Sequence, residues 1–162
     1  MKNYNFKIPV ADILQESSTH DNIQFVEKFS TLLPQLIDPG ISADIDLQGM
    51  DKSSLLITIK NAQACCSSLC DICWKNTKYT IYIENKYIKC FFEKKYKDIL
   101  NDEEVLYIDP SRKVVNLENF LVQSFLLADD IVHMCTDCEK QKETISDEND
   151  DFNKSYNKII WK

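Results

Sequence analysis

The sequence predicts an α+β fold, in which a mostly antiparallel, curved or barrel-like sheet carries one packed amphipathic helix and a short C-terminal helix. Three observations lead to this fold class. Several segments alternate apolar and polar residues, as half-buried strands do. One segment, close to residue 120, repeats apolar residues at helical spacing. The chain is also 44% hydrophobic over 162 residues, which is enough for a domain with a buried core.

Strands account for most of the first 110 residues. The clearest is "ISADIDLQGM" at 41–50, in which apolar residues recur at every second position. We expect it to turn back into "SLLITIKNAQACC" at 54–66. The segment "LLPQLIDPGIS" at 32–42 reads as a loop or turn because it contains two Pro and one Gly. The remaining predicted strands lie in 3–10, 78–96, with a kink at 84–86, and 105–109, while 22–30 is predicted to be a less regular strand or a short helix.

The helix is predicted to start at Asn116, a residue that favours the N-cap position, and to end near Asp130. Glu118 falls in its first turn, where a negative charge complements the helix dipole. The predicted packing face follows helical spacing and consists of Leu117, Phe120, Leu121, Ser124, Phe125 and Ala128.

These elements indicate one α+β domain over residues 1–138. The charged, weakly patterned residues 139–151 are predicted to form an acidic flexible connector. Residues 152–162 place Phe152, Tyr156, Ile159 and Ile160 on one helical face and are predicted to form the short C-terminal helix.

Charge is distributed unevenly along the chain. The formal net charge is −7, and residues 129–151 hold nine acidic residues against two basic ones. Residues 74–97 instead hold seven Lys against two Glu, together with many aromatic residues. Lysines beside exposed aromatic rings suit RNA, because they neutralise phosphates while bases stack on the rings. The predicted RNA-binding residues are Trp74, Lys75, Lys78, Lys86, Lys89, Lys94 and Lys95. Lysines that solvate the outer face of a strand pair are the alternative, and 18 Lys against one Arg point to a general compositional bias.

Several classes of protein are disfavoured by what the chain contains. Two Gly residues are too few for a Gly-x-Gly-x-x-Gly or a Walker A loop. The two histidines, His20 and His133, belong to no recognisable nucleophile or carboxylate arrangement. We therefore predict no catalytic residues, no enzyme and no small-molecule substrate. The first residues lack a secretory pattern and the most apolar stretch, 120–132, is interrupted by polar residues, so we expect a cytoplasmic protein without membrane contact.

Seven cysteines carry the strongest chemical signal. Cys70 and Cys73 form one C-x-x-C pair, and Cys135 and Cys138 form a second. Cytosolic cysteines in such pairs favour metal binding or thiol chemistry over structural disulfides. Two pairs brought together would supply the four thiolates of a tetrahedral structural zinc site. The four cysteines are accordingly the predicted metal ligands, with zinc as the cofactor.

Other uses of the cysteines remain open at the level of sequence. A thiol–disulfide oxidoreductase at Cys70 and Cys73 would need a helix after the pair, whereas "WKNTKYTIYIE" reads as a strand. An iron–sulfur cluster and two metal-free pairs are further alternatives. Cys66 is the main rival ligand, and His133 could replace a cysteine, while Cys65 and Cys90 are predicted to be packing residues.

The order of these features resembles the large ribosomal RNA subunit accumulation proteins, the YceD family. The likeness rests on "CDIC" at 70–73, "YTIYIE" at 79–84, "LYIDPSRKVVNLENFLVQSFLLA" at 106–128 and "CTDC" at 135–138. The closing "DDFNKSYNKIIWK" is similar to the short C-terminal segment of that family.

This resemblance implies a non-enzymatic ribosome-biogenesis factor that supports accumulation of large-subunit (23S) rRNA. The implied partner is large-subunit rRNA or its precursors, or else a ribosomal protein. A structural zinc clamp would accompany that role.

Overall fold

The structure, a computed structural model, describes residues 6–15, 20–92 and 104–141. Within these residues the chain forms eight strands and two helices, with a further short helix over residues 136–141. In chain order the elements are β1 (Lys7–Pro9), α1 (Ala11–Gln15), β2 (His20–Glu27), β3 (Leu36–Asp51), β4 (Ser54–Leu69), β5 (Asn76–Ile83), β6 (Lys86–Phe91), β7 (Val105–Asp109), β8 (Val114–Asn116) and α2 (Glu118–Ala128).

The strands form one curled, half-barrel sheet, which confirms the predicted fold class. Its order is β1-β8-β7-β6-β4-β3-β2, and β5 pairs with β4 beside that path. The pairs with described registers are antiparallel except for β6 and β7, which run parallel. The predicted C-terminal helix at 152–162 lies outside the described residues.

Curvature arises where the long hairpin of β3 and β4 changes register. Its ladder shifts at three places, and such bulges bend a strand and increase its twist. One shift lies between Leu36 and Ile41 and so spans Pro39 and Gly40. The predicted loop or turn at 32–42 was therefore wrong from residue 36 onward, where the chain belongs to β3. Gly40 has φ +91°, and a Cβ there would overlap the carbonyl oxygen of Glu27. Only glycine therefore allows β3 to pass this close to the end of β2.

The concave side of the sheet holds the core. Alternate residues of β3 and β4, such as Ile45 and Ile57, are fully buried. Helix α2 buries Leu121, Val122 and Phe125, and its first N–H, from Glu118, donates to Asn116 Oδ1 at 3.0 Å. The N-cap residue is Leu117, which makes no side-chain capping hydrogen bond, so the predicted N-cap at Asn116 was one residue too early. The helix ends at Ala128, two residues before the expected Asp130.

The chain divides into two compact units. The larger contains residues 1–66 and 79–129, and the smaller contains 67–78 and 130–162. The sequence had indicated one domain over residues 1–138. The described segments of the smaller unit are 67–78, which lies inside that range, and 130–141, which extends just past its end. The helix over 136–141 also includes the first residues of the predicted connector 139–151, and the remainder of that connector lies outside the described residues. The smaller unit is where all four paired cysteines lie.

Candidate metal centre

Cys70, Cys73, Cys135 and Cys138 come together in the smaller unit. Their four sulfur atoms all lie within 4.8 Å of one another. The Sγ atoms of Cys73 and Cys135, which are 62 residues apart in the chain, are separated by 3.6 Å. This separation is far longer than the ~2.05 Å of a disulfide bond, so the two are adjacent thiols. The two C-x-x-C pairs therefore form one cluster, as their spacing predicted.

A tight turn after β4 presents the first pair. The N–H of Cys70 donates to the carbonyl of Lys75 at 2.8 Å, and its own carbonyl accepts the N–H of Trp74 at 2.9 Å. The chain reverses here through Trp74, which adopts a left-handed backbone with φ 60°. Closing the turn by these two hydrogen bonds directs Cys70 and Cys73 to the same side.

The second pair is held against the first by three hydrogen bonds, each donated by a backbone N–H. The N–H of Asp71 donates to the carbonyl of His133 at 2.9 Å, and the N–H of His133 donates to Asp71 Oδ2 at 2.7 Å. Next to them, the N–H of Cys135 donates to Cys70 Sγ at 3.3 Å. Sequence reasoning missed Asp71, although an Asp between two ligand cysteines is a residue type that commonly bonds nearby backbone N–H groups.

The short helix over 136–141 supplies the fourth thiol. It begins directly after Cys135, whose carbonyl accepts the N–H of Glu139 at 3.0 Å. Cys138 lies in the first turn of that helix and is buried, as is Cys70, while Cys73 and Cys135 are half-buried. The cluster is therefore built from a turn on one segment and a helix start on the other.

The thiols differ in acidity. The backbone N–H of Cys135, followed by those of Cys73 and Ile72, stabilises the thiolate of Cys70 and lowers its pKa to about 6. Cys138 shows the opposite shift: a hydrogen bond with the Cys135 side chain and burial raise its pKa to about 12. A thiolate at Cys70 is thus favoured at neutral pH, but a second buried negative charge is opposed. A bound dication removes this conflict, because it binds thiolates and releases their protons.

The geometry fits one tetrahedral ion. With metal–sulfur bonds of about 2.3 Å, the edge of a tetrahedron of thiolates is roughly 3.8 Å. The Cys73–Cys135 separation of 3.6 Å matches that edge, and the 4.8 Å limit requires only a small contraction. A four-iron cluster would need a wider cage, because each thiolate binds a different iron. The four cysteines could therefore hold a metal ion, and their donor set is consistent with zinc.

The other cysteines lie outside this cluster. Cys66, the rival ligand, belongs to the larger unit, where burial raises its thiol pKa to about 11. Cys90 is buried in the core, and burial raises its pKa to about 12. Cys65 places its Sγ 3.8 Å from Thr80 Oγ1. Among the described residues, the cluster includes no histidine, and His133 contributes its backbone to the hydrogen bonds with Asp71.

The predicted RNA-binding residues fall into three sets. Trp74, Lys75 and Lys78 are exposed in the smaller unit. Lys86 and Lys89 are half-buried in β6 of the larger unit, and Lys86 Nζ lies 3.7 Å from Glu104 Oε1. Lys94 and Lys95 lie outside the described residues. RNA binding by these side chains stays a prediction.

Comparison of the chain with family models, with curated proteins and with solved structures finds no match. In the part of the chain that the structure describes, no helix is both long and apolar enough to cross a membrane.

Proposed function

We propose that the protein is a non-enzymatic ribosome-biogenesis factor that supports accumulation of large-subunit (23S) rRNA and is stabilised by a structural zinc ion. The single observation that carries the zinc assignment is the cluster of four thiols within 4.8 Å. Catalytic zinc sites keep one position open for water or substrate, whereas structural sites use four protein ligands. Four cysteines at one centre therefore favour a structural ion.

Zinc is the metal that the donor set favours. Thiolates are soft ligands, and tetrahedral sites made only of sulfur are typical of zinc or of iron–sulfur chemistry. The compact cage supports a single ion. The ion would join residues 67–78 to residues 130–141, the two described segments of the smaller unit.

The assembly role rests on the order of sequence motifs and on the exposed groups beside the metal site. Trp74, Lys75 and Lys78 directly follow the first cysteine pair and are exposed. An exposed indole and two amines can contact either rRNA or a ribosomal protein. The partner we propose is either large-subunit rRNA or its precursors, or a ribosomal protein.

Metal content tests the zinc assignment. We expect about one zinc per purified chain, and we expect its loss in a Cys70→Ser, Cys73→Ser variant. Cys65→Ser is the matched control, because Cys65 is a half-buried cysteine outside the cluster. An intact chain without metal, after purification under reducing conditions with zinc supplied, would refute the assignment.

Sedimentation tests the assembly role. We expect the protein to enrich with large-subunit precursors on sucrose gradients, and we expect its depletion to lower 23S rRNA relative to 16S rRNA. Unchanged rRNA ratios and no enrichment with precursors would exclude that role and would leave the zinc assignment intact.

Thiol–disulfide exchange at Cys70 and Cys73 is the second candidate. The lowered pKa of Cys70, about 6, favours it, because the thiolate is the reactive form. The residues after Cys73 lead through a turn into β5, so the pair does not stand at the start of a helix as thiol oxidoreductases require. A disulfide reductase assay on the zinc-free protein decides between the two, and turnover lost in Cys70→Ser would favour exchange.

A further inference from the structure

We propose that the smaller unit carries a docking surface for a basic polypeptide that contributes apolar side chains. We give the name apolar surface to the exposed large apolar side chains of residues 67–78 and 130–141, which are Leu69, Ile72, Trp74, Ile131 and Val132. The proposal names the partner class for the proposed function and rests on that function being non-enzymatic binding.

The large side chains of the apolar surface are exposed to solvent. Large apolar side chains are ordinarily buried, and clusters of exposed ones mark interaction sites. All five residues of the apolar surface are more than half exposed, and Ile131 reaches 99%. They occur within the two short segments 67–78 and 130–141, the described part of the smaller unit. The unit thus exposes apolar area that its own described residues leave uncovered.

Hydrogen bonds hold the segments 67–78 and 130–141 together, and their cysteines meet in one cluster. Asp71 and His133 exchange two hydrogen bonds, and each is one residue away from a member of the apolar surface, Ile72 and Val132 respectively. The cysteines on either side converge on one centre. The exposed side chains therefore sit on a preorganised backbone, which reduces the entropy lost when a partner binds.

The backbone of Trp74 adopts a conformation that is unfavourable for a bulky residue. Its φ of 60° lies in the left-handed region, which costs a bulky residue roughly 1–2 kcal/mol and costs glycine little. The indole is 74% exposed, so burial in the described structure does not repay that cost. Strain of this kind concentrates at functional sites. An exposed indole at a position where glycine would be unstrained fits a side chain that contacts a partner.

Charge selects the class of partner. The described segments of the smaller unit carry Asp71, Asp130, Asp137 and Glu139 against Lys75, Lys78 and Lys140. The stretch 129–151 as a whole holds nine acidic residues and two basic ones. A nucleic acid would be repelled by this stretch, whereas a basic polypeptide would be attracted to it. Exposed apolar side chains in a unit whose sequence continues into this acidic stretch fit a basic protein segment with exposed apolar residues.

The test measures binding of the full-length, zinc-loaded protein to defined probes by fluorescence anisotropy. The main probe is a short fluorescein-labelled peptide of Leu and Lys residues. Two matched peptides replace all Leu by Ser or all Lys by Gln, and a single-stranded RNA oligonucleotide is the nucleic-acid probe. The protein variants are Ile131→Ser with Val132→Ser and, as control, Leu126→Ser with Leu127→Ser, two exposed leucines of the larger unit.

We expect the Leu–Lys peptide to bind, and both matched peptides to bind about tenfold or more weakly. The Ile131→Ser, Val132→Ser variant should lose a similar factor while it keeps its zinc, and the leucine control should bind like the intact protein. Added salt should weaken binding, because the acidic stretch contributes to it. In a Trp161→Phe background, Trp74 emission should shift to shorter wavelength as the peptide covers the indole.

Four outcomes would overturn the proposal. These are no peptide binding, equal binding by the test and control variants, tighter binding of RNA through the same residues, and tighter peptide binding after truncation at Gln141. Truncation removes much of the acidic stretch and should weaken binding, whereas it would strengthen binding if residues 142–162 occupied the apolar surface. Peptide binding without enrichment on ribosomal precursors would instead refute the assembly role and leave the surface standing.

Discussion

Removal of the metal should lower the stability of the protein by an amount that the chain topology sets. The proposed ion links Cys73 to Cys135 across 62 residues. A cross-link keeps this loop closed in the unfolded chain and so lowers the conformational entropy of that chain. For a loop of this length, the resulting gain in the free energy of unfolding is about 4 kcal/mol. For a chain of 162 residues, this corresponds to a decrease of about 8–16 °C in Tm.

Thermal unfolding followed by circular dichroism under reducing conditions measures this decrease. The perturbations are a strong zinc chelator and the Cys73→Ser variant, each with zinc content determined in parallel. Cys65→Ser is the control, since it changes a half-buried cysteine and leaves the cluster intact. A Tm that stays within about 2 °C after complete metal removal would show that the site does not constrain the chain, and the reasoning would fail.

Three further predictions concern backbone and charge. Gly40→Ala should destabilise the fold by at least about 2 kcal/mol in urea titrations, because φ is +91° and the new Cβ would overlap the Glu27 carbonyl; an unchanged midpoint would contradict the close approach of β2 and β3. Trp74→Gly should stabilise the protein by roughly 1 kcal/mol through relief of the left-handed conformation, yet weaken peptide binding, and a loss of stability would count against strain at this turn. The Asp109 carboxylate accepts hydrogen bonds from Ser111 first of all, which lower its pKa below the usual 3.8. The stability that this carboxylate contributes is therefore present above pH 3.8 and is lost as the pH falls through the lower pKa of the folded state. The urea midpoints of the intact protein and of Asp109→Ala should converge on acidification. A difference between the two midpoints that does not depend on pH would contradict this.

Much of the sheet could be read from alternation, because one face of most strands is buried. Strand β3 shows the limit of that reasoning. Its first residues include Pro39 and Gly40, which normally mark a turn, but the register shift lets them stay within the strand. The parallel pairing of β6 with β7 leaves no local signal either, because it depends on long-range contacts.

The four-cysteine cluster was predictable in its members but not in what positions them. Cysteine spacing identified Cys70, Cys73, Cys135 and Cys138, because thiolate ligation needs those side chains in pairs. The exchange of hydrogen bonds between Asp71 and His133 could not be predicted, because it joins the backbone and carboxylate of one residue to the backbone of another that is distant in sequence. Charge counting likewise treated Lys86 as available for RNA, although it lies beside Glu104.

The separation of the two cysteine pairs also orders events during synthesis. Cys135 is translated 62 residues after Cys73, and ribosomes add about 5–20 residues per second, so roughly 3–12 s pass between them. Throughout that interval the nascent chain has two of the four thiols, and β5 to α2 are made before the others follow. Full coordination of the proposed ion would thus be a late event, available only to chains that have been translated past α2.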